Sequence, residues 1–150
     1  MEYKTKITLR PIFWDRPPNV LVTMNGKIID DIKLFDKSNT SVVLSYKLQL
    51  KENNKLQICL QNKTNDQTVQ DNGKIIKDQY VILEDIEIDD VLLQPAMIMK
   101  GTYQPLYPSN LKQSEQNLPE QLHTNQFNFN GIYSLCFTMP IHVWFFQHLD

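Results

Sequence analysis

Tyr3, Thr5, Ile7 and Leu9 alternate with Lys4, Lys6, Thr8 and Arg10 at the start of the chain, and the same two-residue period returns along most of its length. A period of two places successive side chains on opposite faces of an extended strand, so so persistent an alternation commits the chain to sheets with one buried face. Val42, Leu44, Tyr46, Leu48 and Leu50 repeat it, as do Leu56, Ile58 and Leu60, and then Phe129, Tyr133, Leu135, Phe137 and Met139. No comparably long run has the helical period. The length of 150 residues suits one domain with a core of its own, and 41% hydrophobic with 21% charged residues excludes a disordered or collagen-like chain.

Turn chemistry divides the strands. Asn25-Gly26 between Val20–Met24 and Lys27–Leu34 is the signature of a type I′ hairpin. A plain two-residue turn would pair Val20 with Asp31 and Leu21 with Asp30, which predicts a bulge or a larger loop that re-aims one strand. The segments ending at Leu50 and beginning at Leu56 read as a second hairpin across Glu52-Asn53-Asn54. A long strand carries Tyr80, Ile82, Ile86 and Ile88, with Glu84-Asp85 where an inward apolar residue is due, so a bulge is expected there too. From about 94 to 126 the pattern loosens into a proline-bearing connection, and connections of that length in compact domains are commonly functional or mobile. Ile141, Trp144, Phe145, His148 and Leu149 fall at helical spacing behind Pro140, which predicts a short terminal helix. The expected architecture is a single all-β domain over 1–150, an antiparallel two-sheet β-sandwich of the jelly-roll kind, with seven or eight strands and a short C-terminal helix.

A net charge of −2 offers no field to attract a nucleic-acid backbone or an anionic membrane. The first ten residues lack the apolar core of a secretory signal, and no run approaches the length of a membrane span, so the reading is a chain kept in the cytosol. Cys59 and Cys136 lie in apolar runs and read as small buried hydrophobes rather than a disulfide. His123, His142 and His148 come without a nucleophile motif, and no phosphate-cradling loop or zinc spacing is present. Glu84, Asp85, Glu87, Asp89 and Asp90 could pair carboxylates for glycoside chemistry, but alternation places most of them on an outer face. The chain is therefore read as a non-enzyme.

Two kinds of binding residue remain. Tyr103 and Tyr107 flank prolines, and Phe13 and Trp14 sit among others, so both pairs could present rings on stiff loops; the tail adds Trp144, Phe145 and Phe146. Between Asn62 and Asp78 a loop rich in Asn and Asp surrounds Gly73. It could gather hard oxygen ligands for calcium, or simply extend a hairpin that turns at Asp71-Asn72-Gly73.

The run Leu60-Gln-Asn-Lys-Thr-Asn65, then Asp71-Asn-Gly-Lys-Ile-Ile-Lys-Asp78, then Ile86-Glu-Ile-Asp-Asp-Val91, resembles calcium-associated, xylan-binding-type carbohydrate-binding modules. It is most similar to stand-alone versions of that sandwich carried by tailed bacteriophages. The likeness runs from about Val20 to Val91, and Thr102–Pro108 and Thr138–Trp144 are similar to the phage versions as well. The resemblance implies calcium held in a loop, with Asp66, Asp71 and Asp78 as candidate ligands, although the chain departs from those modules in lacking a clear aspartate pair in a short terminal loop. It implies a virion structural protein assembled in the host cytoplasm, a capsid decoration or tail accessory subunit. Such a subunit would need no cofactor and would act through contacts with other virion proteins or with copies of itself. The alternative it leaves is a calcium-assisted module recognising a polysaccharide.

Overall fold

A computed structural model describes residues 1–34, 37–109, 111 and 117–149. Two antiparallel five-stranded sheets pack face to face, with a detached two-stranded ribbon beside them. In the first sheet β1 (Glu2–Ile12) is central, flanked by β4 (Val42–Gln49) on one side and β8 (Tyr80–Ile88) on the other. The far edge of β8 is shared by β9 (Val91–Leu93) and β11 (Gln126–Phe127). The second sheet runs β10 (Thr102–Pro105), β12 (Gly131–Thr138), β5 (Asn53–Gln61), β2 (Asn19–Met24), β3 (Lys27–Lys33), and β6 (Val69–Asp71) pairs with β7 (Lys74–Lys77) as the ribbon. Helix α1 (Pro95–Ile98) is one turn long, and α2 (Ile141–Gln147) closes the chain.

The alternating residues face the gap between sheets. Ile7, Leu9, Val20, Val22, Leu56, Ile58, Val81, Leu83, Ile86 and Ile88 are all fully buried there. Both expected bulges are present. Leu83 pairs with Leu9 and Asp85 with Thr8, so Glu84 is the extra residue. The phase reverses at that point, which makes Val81 and Leu83 the inward residues of the first half of β8 rather than Tyr80 and Ile82. In β2–β3, Val22 meets Asp30 and Thr23 meets Ile28, leaving Ile29 as the extra residue behind a turn in which Asn25 and Gly26 both have positive φ.

Three further expectations about the strands and their connections are corrected. β4 and β5 do not form a hairpin, because β4 pairs with β1 in one sheet and β5 with β2 and β12 in the other. The side chain of Asn54 accepts from the Lys51 amide and donates to the Lys51 carbonyl, both at 2.8 Å, and so closes a corner that carries the chain across the sandwich. The strand count is twelve among the described residues, since strands of two to four residues such as β9, β10 and β11 carry too little alternation to be seen. The connection at 94–126 is not loose throughout. Its first part forms α1 and β10, burying Met97, Ile98 and Tyr103, and residues 110 and 112–116 of it lie outside the described residues.

Cys136 is exposed rather than buried. The register sets it opposite Lys55, while Cys59 faces Ile132, so the two thiols stand apart on the outer face. One feature of the core opposes stability: Thr5 is wholly buried and its hydroxyl has no hydrogen-bond partner. A buried hydroxyl left unpaired costs about 1–3 kcal/mol, so Thr5→Val, which keeps the β-branched shape, is expected to raise unfolding free energy by roughly 1 kcal/mol in urea denaturation.

Candidate functional site

A cleft of about 660 Å³ with both apolar and polar lining lies between the β6–β7 ribbon and the loop that follows β10. Its construction starts where β5 ends. Asn62 adopts a positive φ of 66° and turns the chain out of the sheet. Lys63 is then clamped by Asn130, whose side chain accepts from the Lys63 amide and donates to its carbonyl, both at 2.9 Å. The lysine side chain lies in the floor, only 11% exposed, with its ammonium 2.8 Å from Asp78 Oδ1 and hydrogen-bonded to the Asn128 carbonyl. The Phe129 ring centroid is 5.9 Å from the same nitrogen, within cation–π range. Asp78 Oδ1 also accepts from Thr68 Oγ1 at 2.7 Å and from the Gln79 amide at 2.8 Å.

One wall is the ribbon, where Gln70 pairs with Ile75 across a turn at Asn72-Gly73. The opposite wall is Leu106–Pro108 with Leu118 and Pro119. Tyr103 anchors that loop at its base by exchanging two 2.8 Å backbone hydrogen bonds with Leu122. Tyr107 donates its hydroxyl to the Pro119 carbonyl at 2.6 Å, and its ring meets Phe129 edge to face at 5.0 Å. Leu106 and Ile75 stand exposed at the two lips. A Cβ at Gly131 would lie 2.4 Å from the Gln104 carbonyl, so the glycine lets β10 approach β12 closely enough to hold this wall in place.

The aromatic candidates separate. Tyr103 is not a platform but core, 1% exposed, stacked on Phe127 at 4.5 Å with its hydroxyl bonded to the Phe129 carbonyl, and burial pushes its phenol above the usual range. Trp144 is likewise core, 5% exposed and packed against Phe137. Tyr107 lines the cleft. Phe145 is half-buried, whereas Phe146 is 69% exposed; Val143 on α2 and Leu149 beyond its end are exposed to a lesser degree. Trp14 is 44% exposed, with Lys77 Nζ 4.8 Å from its ring centroid and its indole N–H on the Gln67 carbonyl at 2.9 Å. It lies outside the cleft.

Of the candidate metal ligands, Asp78 is engaged by Lys63, Asp66 accepts from the Thr64 hydroxyl, and Asp71 is exposed at the ribbon turn. No group of three or more His, Cys, Asp or Glu that could hold an ion occurs among the described residues. The plain hairpin describes residues 69–77 better than a calcium loop does. Glu87 lies on the outer face of the first sheet opposite Lys6, at 3.9 Å, as alternation indicates, and the bulge brings Glu84 to the same face, 3.7 Å from Arg10. His123 directs Nδ1 at the Met99 and Gly101 carbonyls, and His148 at the Trp144 carbonyl, so each ring nitrogen is a donor to backbone.

The sequence reading missed Lys63, Asn128 and Asn130. Their signal is a polar pair of segments at the ends of two adjacent strands, which alternation alone does not mark. It also missed the buried glutamines. Gln67 accepts from the Thr64 amide and donates to Asp15, while Gln79 accepts from the Asp15 amide and donates to the Arg16 carbonyl. These bonds tie the Phe13–Pro18 loop to the ribbon's base.

No family model matches the chain, and neither does any curated protein sequence. Among solved structures it is similar to one described as vCBM60 in complex with galactobiose, with a TM-score of 0.53 and 11% identity over 87% of this chain and 95% of that one. A second, the selenomethionine form of vCBM60, has a TM-score of 0.53 and 10% identity over 88% of each chain; its description speaks of circular permutation linking two families of calcium-dependent carbohydrate-binding modules. At such identities the likeness is one of fold.

Gln79→Leu leaves the Asp15 amide and the Arg16 carbonyl without partners. The expected loss is about 2 kcal/mol of stability, with a red shift of Trp14 fluorescence and no change in the buried Trp144, measurable in single-tryptophan backgrounds.

Proposed function

We propose that this chain is a non-catalytic carbohydrate-binding protein whose ligand lies in the cleft between the ribbon and the loop after β10. The observation that carries the reading is the composition of that cleft. The rings of Tyr107 and Phe129 line a space of about 660 Å³ together with the amide- and hydroxyl-bearing residues Thr64, Asn65, Gln70 and Asn128. Sugars present apolar C–H faces edged with hydroxyls, and a site of flat apolar surface with a few placed polar groups matches both. The fold likeness to modules described as carbohydrate-binding, one solved with galactobiose, supports the same reading.

Affinity electrophoresis against a panel of uncharged polysaccharides, including β-galactan and xylan, tests it. Tyr107→Ala is expected to weaken retention by about 2 kcal/mol, ~30-fold, as truncation of a central aromatic anchor does. Tyr107→Phe keeps the ring and should retain most binding. Equal retention of wild type and Tyr107→Ala would place any glycan elsewhere.

A second reading is that of a tailed-phage virion subunit, a capsid decoration or tail accessory protein binding virion proteins or itself. The exposed Val143 and Phe146 on α2, with the exposed Leu149 just after it, favour it, since aromatic and aliphatic side chains are enriched in interface cores. Under that reading, quantitative mass spectrometry of purified particles finds the chain at a fixed copy number per major capsid protein; its absence from intact particles ends the virion assignment.

A further inference from the structure

The fold's structural neighbours are described as calcium-dependent, and the cleft can be asked whether it has room for that ion. Calcium takes six to eight oxygen ligands at about 2.3–2.6 Å, carboxylates foremost. Among the described residues the cleft lining contains one carboxylate, Asp78. Its Oδ1 already faces three donors, Lys63 Nζ at 2.8 Å, Thr68 Oγ1 at 2.7 Å and the Gln79 amide at 2.8 Å. The neighbouring carbonyl oxygen of Asn128, a second hard ligand, accepts from the same ammonium. A cation placed against these oxygens would meet three hydrogens aimed at it and a fixed positive charge. The donor set does not fit calcium.

We propose that the Lys63 ammonium is the cleft's built-in cation, and that Asp78, oriented by it, reads ligand hydroxyls directly, without a metal. The argument turns on the second oxygen of the carboxylate. Among the described residues Oδ2 has no hydrogen-bond partner, and Thr5 Oγ1 is the only buried side-chain N or O atom left unpaired, so Oδ2 is reached by solvent on a residue that lines the cleft. An ionised carboxylate with one oxygen saturated and the other open accepts one or two O–H donors in charge-assisted hydrogen bonds. Lys63 and Asp78 are the only charged side chains among the described lining residues, and they offset one another. The open carboxylate oxygen rejects anions, so the ligand class is an uncharged, hydroxyl-rich glycan rather than a uronate, sulfate or phosphate ester.

This assignment deepens the carbohydrate reading and rests on it for the ligand, but the calcium question is tested separately. The Gln79 amide donates to Asp78 Oδ1 and therefore reports any ion that the carboxylate takes up. In ¹⁵N-labelled whole protein, its resonance and the melting temperature are expected to be the same in EDTA and in millimolar CaCl₂. A bound ion of micromolar affinity would instead raise the melting temperature by several degrees. A saturable Gln79 shift with calcium, together with a rise in melting temperature that Asp78→Asn abolishes, overturns the proposal; where Asp78→Asn does not fold, the wild-type titration decides alone. In the second arm, retention on galactobiose and on neutral xylo- and cello-oligosaccharides should be indifferent to EDTA and fall about tenfold in Asp78→Asn. Retention lost in EDTA overturns it as well. If no oligosaccharide of the panel is retained, the carbohydrate reading fails, and the calcium titration still decides whether Lys63 holds the cation's place.

Discussion

Every long strand of this sandwich must deliver alternate side chains to a single gap between two sheets, and all other features adapt to that demand. Ile7 and Leu9 from β1, Val20 and Val22 from β2, and Leu56 and Ile58 from β5 meet it by unbroken alternation and are fully buried. β8 meets it by breaking alternation. Leu83 and Ile86 are three residues apart and would face opposite sides of a regular strand, yet both are buried because Glu84 is extruded from the ladder opposite β1. The extruded residue turns to the outer face, where Arg10 and Ser41 engage its carboxylate. A one-residue slip would move the whole hydrophobic set of that strand to solvent, so the bulge is part of the register.

The two ends of the sandwich are built differently from its centre. At the site end the backbone leaves the sheets and must find partners elsewhere, and the partners are amide side chains. Asn130 serves both polar groups of the Lys63 backbone, Gln67 and Gln79 knit the Phe13–Pro18 loop to the base of the ribbon, and both glutamines are almost completely buried. Buried polar networks of this kind fix one geometry when every member is satisfied. The cleft walls are thus hung on two rigid supports, β10 drawn against β12 by Gly131 and the ribbon footed on the glutamine network.

What could be read in the sequence follows from the range of the interactions involved. Alternation is local, so the β-sandwich, the Asn25-Gly26 turn, both bulges and the terminal helix were legible. Sheet membership is not local. Val42–Leu50 and Leu56–Leu60 look like one hairpin because nothing within them records that Asn54 folds over Lys51 and sends the second strand to the other sheet. The site suffered most from this. Tyr103 and Tyr107 are four residues apart and equally aromatic, yet one stacks on Phe127 in the core and the other lines the cleft, a difference set by Leu122 pairing with Tyr103 from nearly twenty residues away. Asp78 was legible as a ligand-grade carboxylate, but its partner Lys63 was not, since the spacing of fifteen residues between them corresponds to no local period.

On the proposed reading, that pairing would let a chain with the fold of calcium-dependent modules organise its site without the ion. Two requirements fall on any floor that holds a carboxylate so far out of water: the charge needs a counter-ion, and the oxygens need donors in fixed directions. A divalent ion would supply the first and organise the second through its coordination sphere. Here a tethered ammonium supplies the first, while Thr68 Oγ1 and the Gln79 amide supply the second. The substitution has a kinetic and thermodynamic consequence. A tethered cation cannot dissociate, so the geometry of Asp78 is set at folding rather than at metal binding, and the ordering entropy of the floor is met once, before any ligand arrives. In exchange, the ammonium uses its hydrogen bonds on the protein, so on the proposed reading the hydroxyls of a ligand would fall to the one carboxylate oxygen left open and to the amides around it.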